Sequence, residues 1–329
     1  MASFTRVIQF VSVSFLLLPV LLHLSACCIN GAAADLSTAL FAFGGSYADT
    51  GNHNRSDTEP RMSASWSKPY GETWPGSPAG RFSDGNVSTD FIAAFLGIPS
   101  PPPYGQVMTN PDISTTNGVN FAYGGAGVFN TFYATIPNVS TQIAQFQNLT
   151  MEGRINWLTQ ENGTYSSLAF TIIGGNDYGE FDAEYPNATK EEKWAFVPVV
   201  VNALADTLRA LYDLGFRKIA VSNLLPLGCQ PGAASHASSG ELCDEDENRM
   251  SQFHNDLLAA HVYELKKLPG AEIIILDLYS ALTAALNDIG TTEPCCQGIS
   301  SDYECADVAS NGTSLYTVCS DPSQALLLG

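Results

Sequence analysis

Short apolar runs alternate along this chain with longer segments of helical periodicity, and no other feature of the sequence constrains the fold as much. Five runs are bounded by Gly, Asn or Pro and are rich in β-branched or aromatic residues: 40–43, 119–122, 168–173, 218–221 and 273–276. Nearly continuous apolar runs of this length are typical of strands that are buried on both faces. The runs therefore predict the strands of a buried sheet.

Two amphipathic segments lie between the last three runs. Residues 196–214 carry an apolar stripe and end before Gly215, and residues 248–268 carry a similar stripe and end before Pro269. Apolar positions three or four residues apart, with Gly or Pro at the end, are typical of helices that pack on a core. The order strand, helix, strand, helix predicts an α/β fold. We expect a three-layer α/β/α sandwich whose sheet is mostly parallel and doubly wound.

Residues 1–34 are predicted to be a signal peptide. Arg6 is the only charged side chain before Asp35, residues 7–24 are mostly apolar, and alanines at 32–34 suit a signal peptidase. The alternatives are an uncleaved membrane anchor and a bacterial lipoprotein cleavage box at residues 24–27. The apolar stretch is near the lower limit for a membrane span and lacks a basic flank on its far side. We therefore expect cleavage and no integral membrane span afterwards.

Glycosylation acceptors and cysteines also predict export. Seven Asn-X-Ser/Thr acceptors are spread along the chain: Asn54, Asn86, Asn138, Asn148, Asn162, Asn187 and Asn311. Six cysteines lie outside the signal peptide, all in the C-terminal third: Cys229, Cys243, Cys295, Cys296, Cys305 and Cys319. An even number suits disulfides in an oxidising compartment. The sequence does not fix the pairing, but Cys229 with Cys243 and the other four among themselves is the simplest arrangement.

The charge balance disfavours several classes of partner. The chain has 14 Lys and Arg against 33 Asp and Glu, a net charge of −19. Such a chain is poorly suited to bind nucleic acid or to dock on anionic lipid. No CxxC pair and no closely paired histidines accompany the cysteines, so zinc is not expected. The sequence does not determine the oligomeric state.

Three glycine-rich loops carry residues that are suited to chemistry. Ser46 directly follows a predicted strand in Phe43-Gly44-Gly45-Ser46, Gly85 ends the loop that begins at Gly80, and Asn176 follows another strand in Gly174-Gly175-Asn176. In doubly wound folds, ligands bind at the carboxyl ends of the strands, where such loops gather. A backbone N–H or a side-chain amide there can donate to an oxyanion. Taken singly, each loop is also explained as a turn or a helix cap.

Together and in this order, the three loops resemble the plant GDSL esterases/lipases, members of the SGNH hydrolase superfamily. The resemblance spans most of residues 40–322 and includes further segments at 121–127, 225–229, 276–279, 295–296 and 319–322. It implies an ester hydrolase of small-molecule esters or lipids that works without metal or organic cofactor. It also implies a secreted protein of the apoplast or cell wall.

The resemblance assigns roles to individual residues. Ser46 would be the nucleophile. The oxyanion hole would consist of the Ser46 N–H, a glycine N–H from the second loop and the side chain of Asn176. For the glycine we choose Gly85 over Gly80, because Gly85 is nearer the start of the following helix.

The sequence departs from the family in two places. Gly45 stands where the family has aspartate, and the family's Trp-Asp-X-X-His segment, which supplies the catalytic Asp and His, is not found after Pro322. The sequence thus predicts a domain at 35–329 that lacks this segment and has little or no activity, because serine at its ordinary pKa is a poor nucleophile. The remaining histidines are His53, His236, His254 and His261. His53 is the nearest of them to Ser46 in sequence.

Two other kinds of protein fit parts of the sequence. A secreted binding protein for acyl or carbohydrate ligands would use the same pocket without turnover. A dinucleotide-binding protein would explain Gly125-Ala126-Gly127, but Asn130 stands where the last glycine of that fingerprint belongs. Ligand binding by the variant Ser46→Ala would favour the first alternative, and a thermal shift with NAD would favour the second.

Overall fold

The computed structural model describes residues 37–53, 55, 63–155, 160–161, 164–165, 167–235, 237–300, 302–322 and 325. The predicted signal peptide and His236 lie outside the described residues. So do Asn54 and Asn162, two of the predicted glycosylation acceptors.

A five-stranded parallel sheet forms the centre of the molecule. Its strands are β1 (Ala39–Gly44), β2 (Gly118–Asn120), β5 (Ser167–Ile172), β6 (Lys218–Ser222) and β7 (Glu272–Leu276), in the order β2-β1-β5-β6-β7. Every pairing in it is parallel. All five apolar runs are strands of this sheet, which confirms the predicted α/β fold. The short strands β3 (Gln160–Glu161) and β4 (Thr164–Tyr165) form a separate hairpin.

Eight α-helices are present in the described residues: α1 (Ser88–Leu96), α2 (Tyr104–Thr109), α3 (Val139–Met151), α4 (Gly175–Glu184), α5 (Lys190–Leu214), α6 (Pro231–Ala234), α7 (Glu245–Leu265) and α8 (Leu278–Ile289). Short 3₁₀ turns occupy Ala64–Trp66 and Leu227–Cys229. Successive side chains of each strand point to opposite faces of the sheet, and helices cover both faces. In β1, Phe41 and Phe43 pack with α3, α5 and α7, whereas Leu40 and Ala42 pack with α1 and α8.

Both predicted long helices are present, but they begin earlier than predicted. Helix α5 starts at Lys190 because Thr189 accepts a hydrogen bond from the Glu192 N–H while the Glu192 carboxylate accepts one from the Thr189 N–H. This reciprocal cap is readable in sequence as Thr-X-X-Glu. Helix α7 starts at Glu245, where the Asp244 side chain accepts the first free N–H groups. The polar first turns carry no apolar stripe, and periodicity alone therefore missed them.

Helix α5 is, within the described part of the chain, the one helix long and apolar enough to cross a membrane by length and composition. Its apolar stripe (Val197, Val200, Val201, Leu204, Leu208 and Leu211) is fully buried inside the protein. Lys193 ties the helix to its neighbours through Asp182 of α4 at 2.6 Å and Glu247 of α7 at 3.0 Å. These contacts are those of a core helix packed between α4 and α7.

All six cysteines outside the predicted signal peptide form disulfides. Cys229 bonds to Cys243, Cys295 to Cys319 and Cys296 to Cys305. This agrees with the simplest arrangement expected from the sequence. The last two bonds secure β8 (Cys296–Gly298) and β9 (Tyr316–Val318), which form an antiparallel pair. Four glycosylation acceptors are exposed (Asn86, Asn148, Asn187 and Asn311), and Asn138 is half-buried at the start of α3.

Candidate active site

Ser46 lies at the carboxyl edge of the sheet, two residues after β1, and is partly exposed. Among the described residues, neither its backbone N–H nor its Oγ has a hydrogen-bond partner. The turn is closed around it by Ala48 and Asp49, whose N–H groups both donate to the Gly45 carbonyl at 3.1 Å. The serine therefore presents a free hydroxyl and a free N–H from an ordered turn.

Helix α3 and the segment after β2 hold the backbone that precedes Ser46. The buried Gln142 side chain accepts the Gly44 N–H at 2.8 Å and donates to the Gly44 carbonyl at 3.0 Å. The same carbonyl accepts the Tyr123 N–H at 2.9 Å. The polar groups of Gly44 are thus satisfied by one side chain and one backbone donor, which fixes the exit of β1.

Asp49 organises the residues that follow Ser46. Its buried carboxylate accepts the N–H groups of Gly51 at 2.8 Å, Asn52 at 2.7 Å and Gly124 at 2.8 Å. Burial raises the pKa of Asp49, against the lowering effects of nearby His53 and of the three N–H donors. Asp49 joins the serine loop to the glycine segment after β2.

Asn176 approaches the serine loop from the neighbouring strand. It lies in the first turn of α4, just after β5, and its Nδ2 donates to the Ala126 carbonyl at 2.8 Å. A Cβ at position 45 would lie 3.1 Å from that Nδ2 and 3.4 Å from the Ala126 oxygen. Gly45 therefore allows the amide to pack against the backbone next to Ser46. Strands β1 and β5 pair directly, which brings the first and third loops together.

Asp177 is a residue of this site that sequence reasoning did not single out. Its buried carboxylate accepts the N–H groups of Val128 at 3.0 Å and Phe129 at 2.9 Å. Burial raises its pKa to about 6, although these N–H donors act to lower it. The sequence signal that could have identified Asp177 as a site residue is its position directly after Asn176. Asp177 anchors the segment that receives the Asn176 amide.

The second loop is held to α1 by a nearly buried ion pair. Arg81 donates to both carboxylate oxygens of Asp90 at 2.9 Å, and Asp90 also accepts the Val87 N–H at the start of α1. Asp90 thus binds the backbone at the start of this helix. The Gly85 N–H donates to Ser83 Oγ at 3.0 Å.

The N–H of Gly80, the other glycine considered, donates to the Ser65 carbonyl at 3.0 Å. In this structure, both glycine N–H groups of the second loop already have acceptors. The assignment of Gly85 to an oxyanion hole stays a prediction.

No described histidine is hydrogen-bonded to Ser46. His53 is buried, stacks on Tyr123 and has its Nε2 2.9 Å from the Gly124 carbonyl, so this nitrogen donates its proton. His254 is also buried, and its Nδ1 lies 2.7 Å from the Tyr178 hydroxyl. Burial lowers the pKa of His254 to about 4. His261 lies one heptad further along α7. Within the described chain, no cluster of three or more His, Cys, Asp or Glu is arranged to hold a metal.

A half-exposed serine and a side-chain amide, adjacent at the carboxyl edge of a parallel α/β sheet, are typical of the SGNH class of ester hydrolases. The sequence comparisons agree with this class. The chain belongs to the GDSL-like lipase/acylhydrolase family, whose sequence model matches residues 40–306.

Three plant esterases are similar to most of the chain. It is 42% identical to a GDSL esterase/lipase of Arabidopsis thaliana over 88% of this chain and 80% of the relative. It is 37% identical to a second Arabidopsis GDSL esterase/lipase, over 87% and 81%. It is also 32% identical to acetylajmalan esterase 2 of Rauvolfia serpentina, over 80% and 77%. The chain is thus an ester hydrolase by family.

Proposed function

We propose that this protein hydrolyses carboxylic esters of small molecules or lipids with Ser46 as the nucleophile. The observation that supports the proposal most directly is that Ser46 has a free N–H and lies beside the Asn176 amide, which is within contact distance of Gly45. A free backbone N–H and a nearby side-chain amide beside a free hydroxyl are the groups from which an oxyanion hole is built. A Gly85 N–H would add a third donor once it left Ser83 Oγ.

The proposed reaction has two steps. Ser46 Oγ bonds to the ester carbonyl carbon, its proton passes to a base, and the negative charge on the carbonyl oxygen is stabilised by the Ser46 N–H and the Asn176 amide. The bond to the alcohol then breaks, the alcohol leaves with a proton, and an acyl group remains on Ser46. Water attacks the acyl group, releases the carboxylic acid and restores the hydroxyl.

The described residues provide no base for the first proton transfer, because His53 and His254 are both held by other groups. Loss of the catalytic histidine from a serine hydrolase costs about 10⁶ in kcat, and the oxyanion hole with substrate binding retains about 10³ to 10⁴ over water. We therefore propose that turnover by the described residues alone is slow: water accepts the Ser46 proton, and the oxyanion hole and substrate binding supply the rate enhancement that remains.

We also propose that the protein is secreted to the apoplast or cell wall. The predicted signal peptide, the exposed glycosylation acceptors and three disulfides support this proposal.

The test is hydrolysis of p-nitrophenyl acetate and butyrate by the secreted chain, Ser46→Ala and Asn176→Ala. We expect slow hydrolysis by the parent, the uncatalysed rate in Ser46→Ala, and a rate about 10²-fold or more below that of the parent in Asn176→Ala. Ser114→Ala, an exposed serine far along the chain, serves as the matched control and should resemble the parent. Equal rates for the folded parent and Ser46→Ala would refute Ser46 as nucleophile and favour a binding protein that uses the same site.

A further inference from the structure

The loop between β2 and α3 contains a phenylalanine in a strained backbone conformation. Phe132 has a φ of 45°, and among the described non-glycine residues only Ala306 shares a positive φ. A bulky side chain in this region costs free energy, and the conformation persists only when its surroundings enforce it. Phe132 is nevertheless 46% exposed. Burial of the ring in the core therefore does not explain the strain.

Helix α4 enforces this conformation. The Glu180 carboxylate accepts the Phe132 N–H at 2.5 Å, and Asp177, one turn earlier, accepts the N–H groups of Val128 and Phe129. Thr131 Oγ1 donates to the Gly125 carbonyl at 2.6 Å. Side-chain acceptors and donors thus fix the loop at both ends, and the ring stays at the surface.

The ring lies one turn of α4 from the proposed oxyanion donor. A Cβ at Gly179 would lie 3.4 Å from Phe132 Cζ, and a Cβ at Gly125 would lie 3.7 Å from Phe132 Cδ2. Gly179 is three residues after Asn176 on α4, a spacing of about 5–6 Å. Gly125 immediately precedes Ala126, whose carbonyl accepts the Asn176 amide. Two glycines therefore leave room for the ring one helical turn from Asn176.

We infer that Phe132 selects the acyl group of the substrate: its ring forms an apolar wall for an ester whose carbonyl lies at Ser46 and Asn176. The preferred esters then carry a medium or longer apolar acyl chain rather than acetyl. This inference rests on the function proposed above. An apolar ring that is held exposed at an energetic cost acquires its contact only when a substrate chain covers it.

The first test combines activity with stability. Phe132→Gly removes the ring and also relieves the positive φ, since glycine adopts this conformation freely. We expect the ratio of kcat/KM for p-nitrophenyl octanoate to that for the acetate to fall about tenfold or more, while the melting temperature stays the same or rises. Phe129→Ala is the matched control, because Phe129 lies in the same loop but packs toward Phe196. An unchanged ratio in Phe132→Gly with a lowered melting temperature would show that the ring is merely structural.

A binding measurement separates this inference from the proposed reaction. Calorimetric titration of the parent, Ser46→Ala and Phe132→Gly with octanamide and acetamide reports the subsite without turnover. We expect octanamide to bind more tightly than acetamide to the parent and to Ser46→Ala, and this preference to shrink in Phe132→Gly. Intact binding with no serine-dependent hydrolysis would retain the acyl subsite and reject the proposed reaction. Equal binding of the two amides by the parent would overturn the inference itself.

Discussion

At the scale of single residues, two adjacent glycines have different tasks before Ser46. Gly44 has a φ of 143°, and a Cβ there would lie 2.1 Å from the Ile172 carbonyl oxygen, where β1 and β5 pair. Gly45 has no such strain, but a Cβ would meet the Asn176 amide at 3.1 Å. Gly44 is required by the backbone, whereas a Cβ at Gly45 would only require the Asn176 amide to shift by a few tenths of an ångström. An aspartate at position 45, as in the family pattern, would place its Cβ 3.1 Å from the Asn176 Nδ2.

Gly44→Ala tests the first of these tasks. We expect it to lower the free energy of unfolding by about 3 kcal/mol, because the new methyl group clashes with backbone and the φ becomes strained. Gly105→Ala is the matched control: it lies in α2, and its Cβ would have no neighbour closer than 3.8 Å. It should be neutral or stabilising by up to about 1 kcal/mol. Urea denaturation of both variants measures the difference, and equal stabilities would contradict the steric argument.

At the scale of elements, the site is held by helices that supply side chains to loop backbone. Gln142 of α3 binds both polar groups of Gly44. Asp177 and Glu180 of α4 accept N–H groups of the loop at 128–132. Hydrogen bonds from backbone N–H groups to carboxylates are stronger than those between neutral groups, and the bonds to Asp177 and Glu180 therefore hold this loop against α4. The helices thus determine where Ser46 and Asn176 meet.

Replacing Gln142 by leucine tests the role of α3. The change keeps the volume but leaves the buried Gly44 N–H without an acceptor, which costs about 1–3 kcal/mol in unfolding free energy. It should also lower ester hydrolysis, because the strand exit before Ser46 loosens. Gln147→Leu, on the exposed side of the same helix, should change stability by less than about 0.5 kcal/mol. Urea denaturation and p-nitrophenyl butyrate assays on both variants measure these effects. Unchanged stability and hydrolysis in Gln142→Leu would refute the positioning role of Gln142.

At the scale of the whole molecule, two buried groups give opposite responses to acid. The pKa of His254 is lowered by burial from 6.5 to about 4, so its contribution to stability is lost as pH falls through this range. The pKa of Asp177 is raised by burial from 3.8 to about 6, so its contribution is lost as pH rises through that range. Each shift corresponds to about 3 kcal/mol. In the parent the two contributions largely cancel between pH 4 and 6.

Single substitutions should expose each contribution. Asp177→Asn is expected to lose about 3 kcal/mol more stability than the parent on going from pH 7 to pH 4, because the opposing carboxyl has gone. His254→Gln should lose about 3 kcal/mol less than the parent over the same range. Urea unfolding of the three proteins at a series of pH values measures these slopes. Parallel curves for all three would show that neither group titrates as its burial implies.

Much of this architecture could be predicted from the sequence. The five apolar runs predicted the five strands, and the glycine-rich loops predicted where chemistry-bearing residues would lie. The starts of α5 and α7 were missed, because the polar caps Thr189 and Asp244 precede the apolar stripe. Asp177 was missed as an anchor, because its partners Val128 and Phe129 are distant in sequence.

The sequence by itself determined the parallel α/β layers, because a strand that is buried on both faces is a nearly continuous apolar run. It also determined the membership in the GDSL-like family, through motifs that are local. Only the tertiary structure decided that Asn176 lies against Gly45, that the Gly85 N–H is already bonded to Ser83 and that His53 is held by Gly124. The physical reason is that strand order brings together loops that are distant in sequence, Gly45 with Asn176 and His53 with Gly124, whereas the Gly85 bond depends on a side-chain rotamer of Ser83 that the sequence does not specify.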